Sequence, residues 1–298
     1  MTSVMFKPDA GQAAAPQAIA PISGKGEIKS VLLHVQDDDG LEARLQAALA
    51  IVRASGGHLA CMHVTPFSNY VGYETYGGAY VLTELIKQLD EQDAAMRTRI
   101  EAQLANEDVS WSYERQTSDP ASALVHAGAL ADLIVIGREE INRDSAYRPM
   151  SMFGGILAAS HTPVLICSHD GKQFDPFGTA VVAWNDSFEA ANALRAALPL
   201  LKQASAVHIV IIDEDKDRDF PPLSASEYLS RHGVHAELIS ESRGTLSIND
   251  KLVASAQSLG ASYLVMGAYG HHRVREYLFG GVTRSLLLEC PLPLVLAR

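Results

Sequence analysis

At 298 residues the chain is about twice the length of a typical domain of roughly 100 to 150 residues, which points to two domains. Hydrophobic residues at 47% and charged residues at 20% exclude a disordered or fibrous chain. With 35 acidic against 24 basic residues and a net charge of -11, a broad electrostatic footprint for nucleic acid or anionic lipid is excluded as well.

Residues 1–27, "MTSVMFKPDAGQAAAPQAIAPISGKGE", have neither the basic start nor the apolar block of a signal peptide and read as a flexible or extended tail. From Ile28 onward, short aliphatic runs alternate with longer amphipathic stretches, the pattern of a parallel sheet with crossover helices. "IKSVLLHV" reads as a strand, Leu41 to Ala54 as a helix and "HLACMHV" as a strand. After the loop "TPFSNYVGYETYGGAY" comes a helix from Val81 to Asn106, then the strand "VSWSYERQ". A short helix follows, capped by Ser118 or Asp119, and then the strands "ADLIVIG" and "TPVLICS". The Gly, Pro and Asp content of residues 169–178 marks a linker, after which the series restarts. The strand "TAVVAW", a helix from Phe188 to Lys202 and the strand "AVHIVII" lead to the acidic loop "DEDKDRDFPP". A short helix near Leu223 to His232, the strand "HAELIS", a helix from Leu246 to Leu259 and the strands "SYLVMG" and "LPLVLA" complete the chain.

Two copies of one β/α unit are therefore expected, the first over 28–170 and the second over 178–298, joined by 171–177. A gapless shift of 130 residues lays "DLIVIG" on "SYLVMG", Gly137 on Gly267 and Pro163 on Pro293. The same shift puts Glu140 where Gly270 stands, Met150 where Gly280 stands and Ser151 where Gly281 stands, so the first copy has lost most of the glycines.

Ligands of open parallel sheets collect beyond the carboxyl ends of the strands, where strand order reverses. There the second copy writes "VMGAYGHHRVREYLFGGVT". Gly267 and Gly270 let the chain bend with no side chain in the way. The N–H groups from Gly280 through Gly281 and Val282 to Thr283 open the last helix and point at an anion, with the helix dipole behind them.

The spacing Gly-x2-Gly-x9-Gly followed by "GVT" resembles the ATP-binding motif of universal stress proteins, and the repeated unit of five strands and four helices resembles that family's domain. The resemblance covers nearly all of Ile28 to Arg298 as two tandem copies. It implies an α/β fold of the adenine nucleotide alpha-hydrolase kind: two tandem open, mostly parallel five-stranded sheets with flanking helices. These would pack as a pseudo-dimer whose fifth strands, "TPVLICS" and "LPLVLAR", pair or pack near each other. It also implies ATP, optionally with Mg2+, in the second domain only. Asn185, with Asp186 beside it, matches the residue that reads adenine, and Ile211 matches the one that packs by the base. Met266, Gly267, Gly270, Gly280, Gly281, Val282 and Thr283 match the phosphate segment. Gly281 stands where the motif usually has Ser or Thr, which keeps the backbone N–H and loses a hydroxyl. In the first copy, Gln36 or Asp37, Gly137, Glu140, Met150 and Ser151 occupy these places, and the carboxylate of Glu140 and the bulk of Met150 speak against ATP there. The implied role is nucleotide-dependent signalling in a stress response, with slow hydrolysis or autophosphorylation at most. A nucleotide-free scaffold is the competing reading, and a homodimer of whole chains is compatible with either.

Other features take plainer readings. Cys61, Cys167 and Cys290 are far apart, without CxxC spacing, and read as core residues of a reducing cytoplasm. No apolar run approaches the roughly 20 residues that span a bilayer, so a soluble protein is expected. His271, His272, Arg273 and Arg275 form a basic patch suited to phosphates or a solvated loop, and adjacent histidines rarely share one metal. The tyrosines of the loop after "HLACMHV" read as cover for the sheet end, and Asp213 to Asp219 as a solvated turn. Ser122, His126 and Asp132 carry residue types of a triad, but no Gly-x-Ser-x-Gly elbow accompanies them.

Overall fold

The computed structural model describes residues 28–66, 79–138, 149–167, 172–213, 221, 223–268 and 281–298. The N-terminal tail, the tyrosine-rich loop 67–78, Glu140, Gly270, His271, His272, Arg273, Arg275 and Gly280 lie outside the described residues, as does the acidic loop 214–220.

The first half runs β1 (Ser30–Val35), α1 (Leu41–Ser55), β2 (His58–Pro66), α2 (Ala79–Leu104), β3 (Ser110–Ser118), α3 (Pro120–Gly128), β4 (Leu133–Gly137), α4 (Pro149–Ala159) and β5 (Val164–Cys167). The second runs β6 (Thr179–Ala183), α5 (Phe188–Ala196), α6 (Leu198–Leu201), β7 (Ala206–Asp213), α7 (Ser224–Arg231), β8 (Ala236–Ser242), α8 (Ile248–Ser258), β9 (Tyr263–Gly267), α9 (Gly281–Glu289) and β10 (Leu294–Ala297). Local chemistry sets several helix ends. Gly56 takes the left-handed conformation (φ 60°) that stops α1. Of the two caps expected for α3, Asp119 is the one used, accepting from the Ser122 N–H at 2.9 Å. Ser247 likewise accepts from the Asp250 N–H at 3.1 Å at the start of α8. The single helix expected from Phe188 to Lys202 is instead two, α5 and α6, because Pro199 has no N–H to give to the ladder.

The strands form one ten-stranded sheet in the order β3-β2-β1-β4-β5-β10-β9-β6-β7-β8. Every neighbouring pair is parallel except β5 with β10, which run antiparallel with Leu294 opposite Ile166, Val295 opposite Leu165 and Leu296 opposite Val164. The two five-stranded sheets read from the sequence are thus joined edge to edge through their fifth strands. Pairing removes two open edges, and both strands are buried on both faces, which is why "VLIC" and "LVLA" are unbroken apolar runs. At the outer edge, β3 alternates half-buried Trp111 and Tyr113 with exposed Ser110, Ser112 and Glu114.

Two apolar layers sandwich the sheet. Leu45 of α1, Met96, Ile100 and Leu104 of α2, Leu194 of α5 and Leu229 of α7 lie on one face. Leu124 of α3, Ile156 of α4, Leu252 of α8 and Leu286 of α9 lie on the other. The halves are also held away from the central strands. Arg138, just past β4, donates through its guanidinium to the carbonyls of Cys290 and Leu292. The segment read as a linker is docked on the second half: Lys172 N–H donates to the Pro291 carbonyl at 3.0 Å, and the Phe174 ring lies 5.1 Å from that of Tyr263.

His34 sits within this packing, opposite Met62 on β2 and 3% exposed. Burial, reinforced by the charges of Arg44 and His63, pushes its pKa from 6.5 down to about 3. The unfolded chain binds this proton below pH 6.5 and the folded chain does not, so stability is full above pH 6.5 and falls as pH drops toward 3. The slope from one such group is at most about 1.4 kcal/mol per pH unit. Urea midpoints measured from pH 7.5 to 4.5 are expected to fall below pH 6.5, and His34→Leu to flatten part of that slope. The remainder includes His63, whose pKa burial also lowers. A slope unchanged in His34→Leu contradicts this account.

Candidate functional site

In each half the strand order reverses between the first strand and the fourth, which lie side by side: β1 between β2 and β4, and β6 between β7 and β9. The registers superimpose the two crevices residue by residue. Leu33 lies between Cys61 and Val135, as Val182 lies between Ile209 and Val265. Counting on from these, Gln36 answers to Asn185, Asp37 to Asp186 and His63 to Ile211. Of the two first-half candidates for the base-reading position, Gln36 is the counterpart of Asn185.

In the second half the turn from β6 into α5 is tightly specified. Asp186 has φ 56°, the one positive value at a non-glycine among the described residues. Its carboxylate is buried and accepts from the Trp184 indole N–H at 2.6 Å. This side chain therefore holds the turn and faces the interior. Asn185, by contrast, is exposed at the carboxyl end of the strand. Ser187 caps α5 by accepting from the Ala190 N–H at 3.2 Å and donates its own proton to Asn185 Oδ1 at 2.6 Å.

Gly267 ends β9 under this turn. A Cβ added there would stand 2.5 Å from the Glu189 carbonyl carbon and 2.7 Å from the Ala190 nitrogen. The glycine is thus required by the close approach of the first turn of α5, whereas the sequence reading gave it the task of bending the following loop. Ile211 and Met266 are buried at 4% and 5% exposure, so their side chains belong to the core walls under the crevice. Gly281 is the first residue of α9, one position earlier than expected, followed by half-buried Val282 and buried Thr283. The first N–H groups of that helix have no intrahelical acceptor.

In the first half the same place is filled. The register that sets Gln36 on Asn185 runs on without a gap to set Leu45 on Leu194 and Arg44 on Ala193, all four of these helix residues buried. The Arg44 side chain is 1% exposed and folds back over the carboxyl end of β1. Nε donates to the His34 carbonyl at 3.3 Å, Nη2 to the Gln36 carbonyl at 2.9 Å and Nη1 to Asp38 Oδ1 at 2.7 Å. It crosses directly above Gly137, where a Cβ would stand 2.2 Å from Nη1. Sequence reasoning missed Arg44; the available signal was a charged residue among Leu41, Leu45 and Leu49 on the buried side of an amphipathic helix. The backbones of Met150 and Ser151 lie in α4.

Beside that crevice a polar cluster pins α2 to β2 and β3. Buried Asp93 accepts from Thr65 Oγ1 and Arg115 Nε, each at 2.7 Å, and lies 3.5 Å from His63 Nε2. His63 Nδ1 is 3.0 Å from the Tyr113 hydroxyl. Burial lowers the pKa of His63 against the opposing pull of Asp93, so the ring is neutral at pH 7. Burial and Asp93 push the Tyr113 hydroxyl up to about 12. Every polar group here is engaged by another, which gives a structural tie. The residue types of a triad do not meet: Ser122 donates to Asp119, Asp132 accepts from the N–H groups of Lys29 and Ser30, and His126 is exposed. The three cysteines are buried free thiols, with Cys61 and Cys167 pushed up to about 12 by burial. Among the described residues no group of three His, Cys, Asp or Glu is placed to hold a metal ion, and no helix is long and apolar enough to cross a membrane.

Comparison with known proteins agrees with this architecture. The sequence profile of the universal stress protein family matches residues 27–168. No curated protein matches the chain. Among solved structures, a universal stress protein from Archaeoglobus fulgidus DSM 4304 superimposes with a TM-score of 0.69 at 18% identity, covering 90% of this chain and 98% of that one. A functionally unknown protein from Pseudomonas aeruginosa PAO1 superimposes with a TM-score of 0.54 at 15% identity, covering 91% and 92%. Both alignments run through the two halves, so the joined tandem fold is shared with whole chains. The first half of this chain thus matches the universal stress protein family by sequence, and the second half repeats the same fold in tandem.

Proposed function

We propose that this protein is a nucleotide-dependent regulator in a stress response that holds one adenine nucleotide, ATP, at the crevice of its second half. The contrast between Arg44 and Ala193 supports the reading: equivalent helix positions put a guanidinium over one crevice and a methyl group at the other. Asn185 would face the base, with Ile211 and Met266 supporting the crevice floor from opposite faces of the sheet. The backbone of Gly267, Gly270, Gly280, Gly281, Val282 and Thr283 would take the phosphates, with the N-terminus of α9 behind them. The Thr283 hydroxyl adds a donor in the first turn of that helix. Asp186 contributes by fixing the turn that carries Asn185. Any Mg2+ would ride on the phosphates. Binding rather than turnover would be the output, with the two halves acting as a pseudo-dimer within one chain.

Nucleotide released from purified protein and identified by mass spectrometry tests this directly. Wild-type protein is expected to carry or take up ATP, and Ala193→Arg, which puts the first half's arginine at the matching position of the second, to bind at least about tenfold more weakly with the fold retained. Absence of any adenine nucleotide, with no thermal shift on adding ATP, would favour a scaffold role; rapid turnover would favour an enzyme.

Gly267 is a poorer probe of the site because its substitution acts on packing. Gly267→Ala forces the first turn of α5 to move and is expected to destabilise the chain by about 1–3 kcal/mol, read as a lowered urea midpoint without nucleotide present.

A further inference from the structure

On one face of the first half, α3 and α4 run side by side in the same direction, since each leads from the end of one parallel strand back to the start of the next. They touch at Gly155, where an added Cβ would stand 2.9 Å from the Ala121 Cβ. Outside this contact they leave a groove of about 590 Å3, walled by Ala121 and Val125 of α3 and by Met152 and Ala159 of α4. Polar groups mark the two ends of its α3 side. At the first end, Asp119 engages the Ser122 N–H and hydroxyl through Oδ2 alone, and its Oδ1 has no partner among the described residues. His126, about two turns along the helix at the other end, is exposed and also has none among them.

An acceptor and a donor at opposite ends of one groove are self-complementary under a two-fold rotation. Laid antiparallel across a second copy, α3 sets Asp119 against the partner's His126, and the reverse pair forms at the other end. The imidazole carries an N–H in either protonation state and donates it to Oδ1. The rotation axis then passes by Ser122 and Gly155, midway along the two helices, where small residues let the helix pairs approach closely. We propose that this groove is the seat of a dimer of whole chains, built from α3 and α4 of each copy. The second half offers no such surface. With the caps Asp119 and Ser247 aligned, Ala254 stands at the place of His126, and the shift of 130 residues puts Ser285 at the place of Gly155 and Glu289 at that of Ala159. One self-complementary face per chain closes at two chains and does not grow into a filament. No crevice residue takes part, so dimerisation is independent of nucleotide.

Sedimentation equilibrium of the full-length protein, loaded from about 1 to 200 μM, reads the association directly. Two short helices per copy cover less than the roughly 1,600 Å2 of a standard interface, so a dissociation constant of about 1–100 μM is expected for the wild type. His126→Asp, which sets carboxylate against carboxylate, is expected to raise it by about tenfold or more. Adding Asp119→Asn, which keeps a helix cap while removing one of the charges, is expected to return it to within about threefold of the wild type. Ser122→Arg, an exposed change that brings two guanidinium groups together at the axis, is expected to give monomer throughout. Circular dichroism checks that each variant keeps its fold. A wild type that is monomeric at every concentration overturns the proposal. So does a dimer that persists unchanged in both His126→Asp and Ser122→Arg, which puts the interface elsewhere. A double variant that associates no more strongly than His126→Asp overturns the pairing of Asp119 with the partner's His126.

Discussion

Everything at the candidate site depends on what the helix after the first strand of each half sets above the glycine that ends the fourth strand. The sheet order brings helix and glycine together, because first and fourth strands are neighbours where the order reverses. In the second half the helix backbone itself comes down on Gly267, leaving no room for a Cβ. In the first half the space above Gly137 is taken by a side chain, and the helix supplies that side chain from within. One glycine thus serves two ends, backbone approach in one copy and accommodation of a buried arginine in the other. A buried guanidinium is costly unless its hydrogen bonds are made, and Arg44 is matched by two carbonyls and a carboxylate, so the first crevice is closed by a satisfied internal cation.

This asymmetry is possible because the two copies are one covalent, continuous sheet. The antiparallel β5–β10 junction, the Arg138 bonds to the far half and the docked segment around Phe174 fix the halves to each other regardless of what either crevice holds. The copies have diverged elsewhere too. The crossover helix between the second and third strands has 26 residues in the first half and eight in the second. At about 1.5 Å per residue, α2 is roughly 39 Å long and outruns the strands it covers, with Asp93 as its buried polar anchor.

Much of this was legible in the sequence. Buried parallel strands appear as unbroken aliphatic runs, the gapless register of Gly137 on Gly267 exposed the repeat, and the two fifth strands were expected together. What stayed hidden depends on where a polar side chain turns. Arg44 reads as a solvated charge on an amphipathic helix until the fold brings the Asp38 carboxylate and two spent strand carbonyls within its reach. Asp186 reads as a ligand-facing partner of Asn185, yet its left-handed backbone turns the carboxylate inward to an indole two residues back. His63 sits in an apolar strand pattern and gives no sign that Asp93, thirty residues on, will meet it. The break between α5 and α6 was readable from Pro199 alone, had the proline been weighed above the helical periodicity.

Photo-crosslinking with an azido-adenine analogue of ATP, followed by peptide mapping, asks most directly whether the two crevices differ as their helix residues do. Labelling confined to peptides of β6, β7 and the segment leading into α9 is the predicted result. Equal labelling of peptides from β1 and β2 would contradict it, since nucleotide could then enter a crevice that Arg44 is held to close.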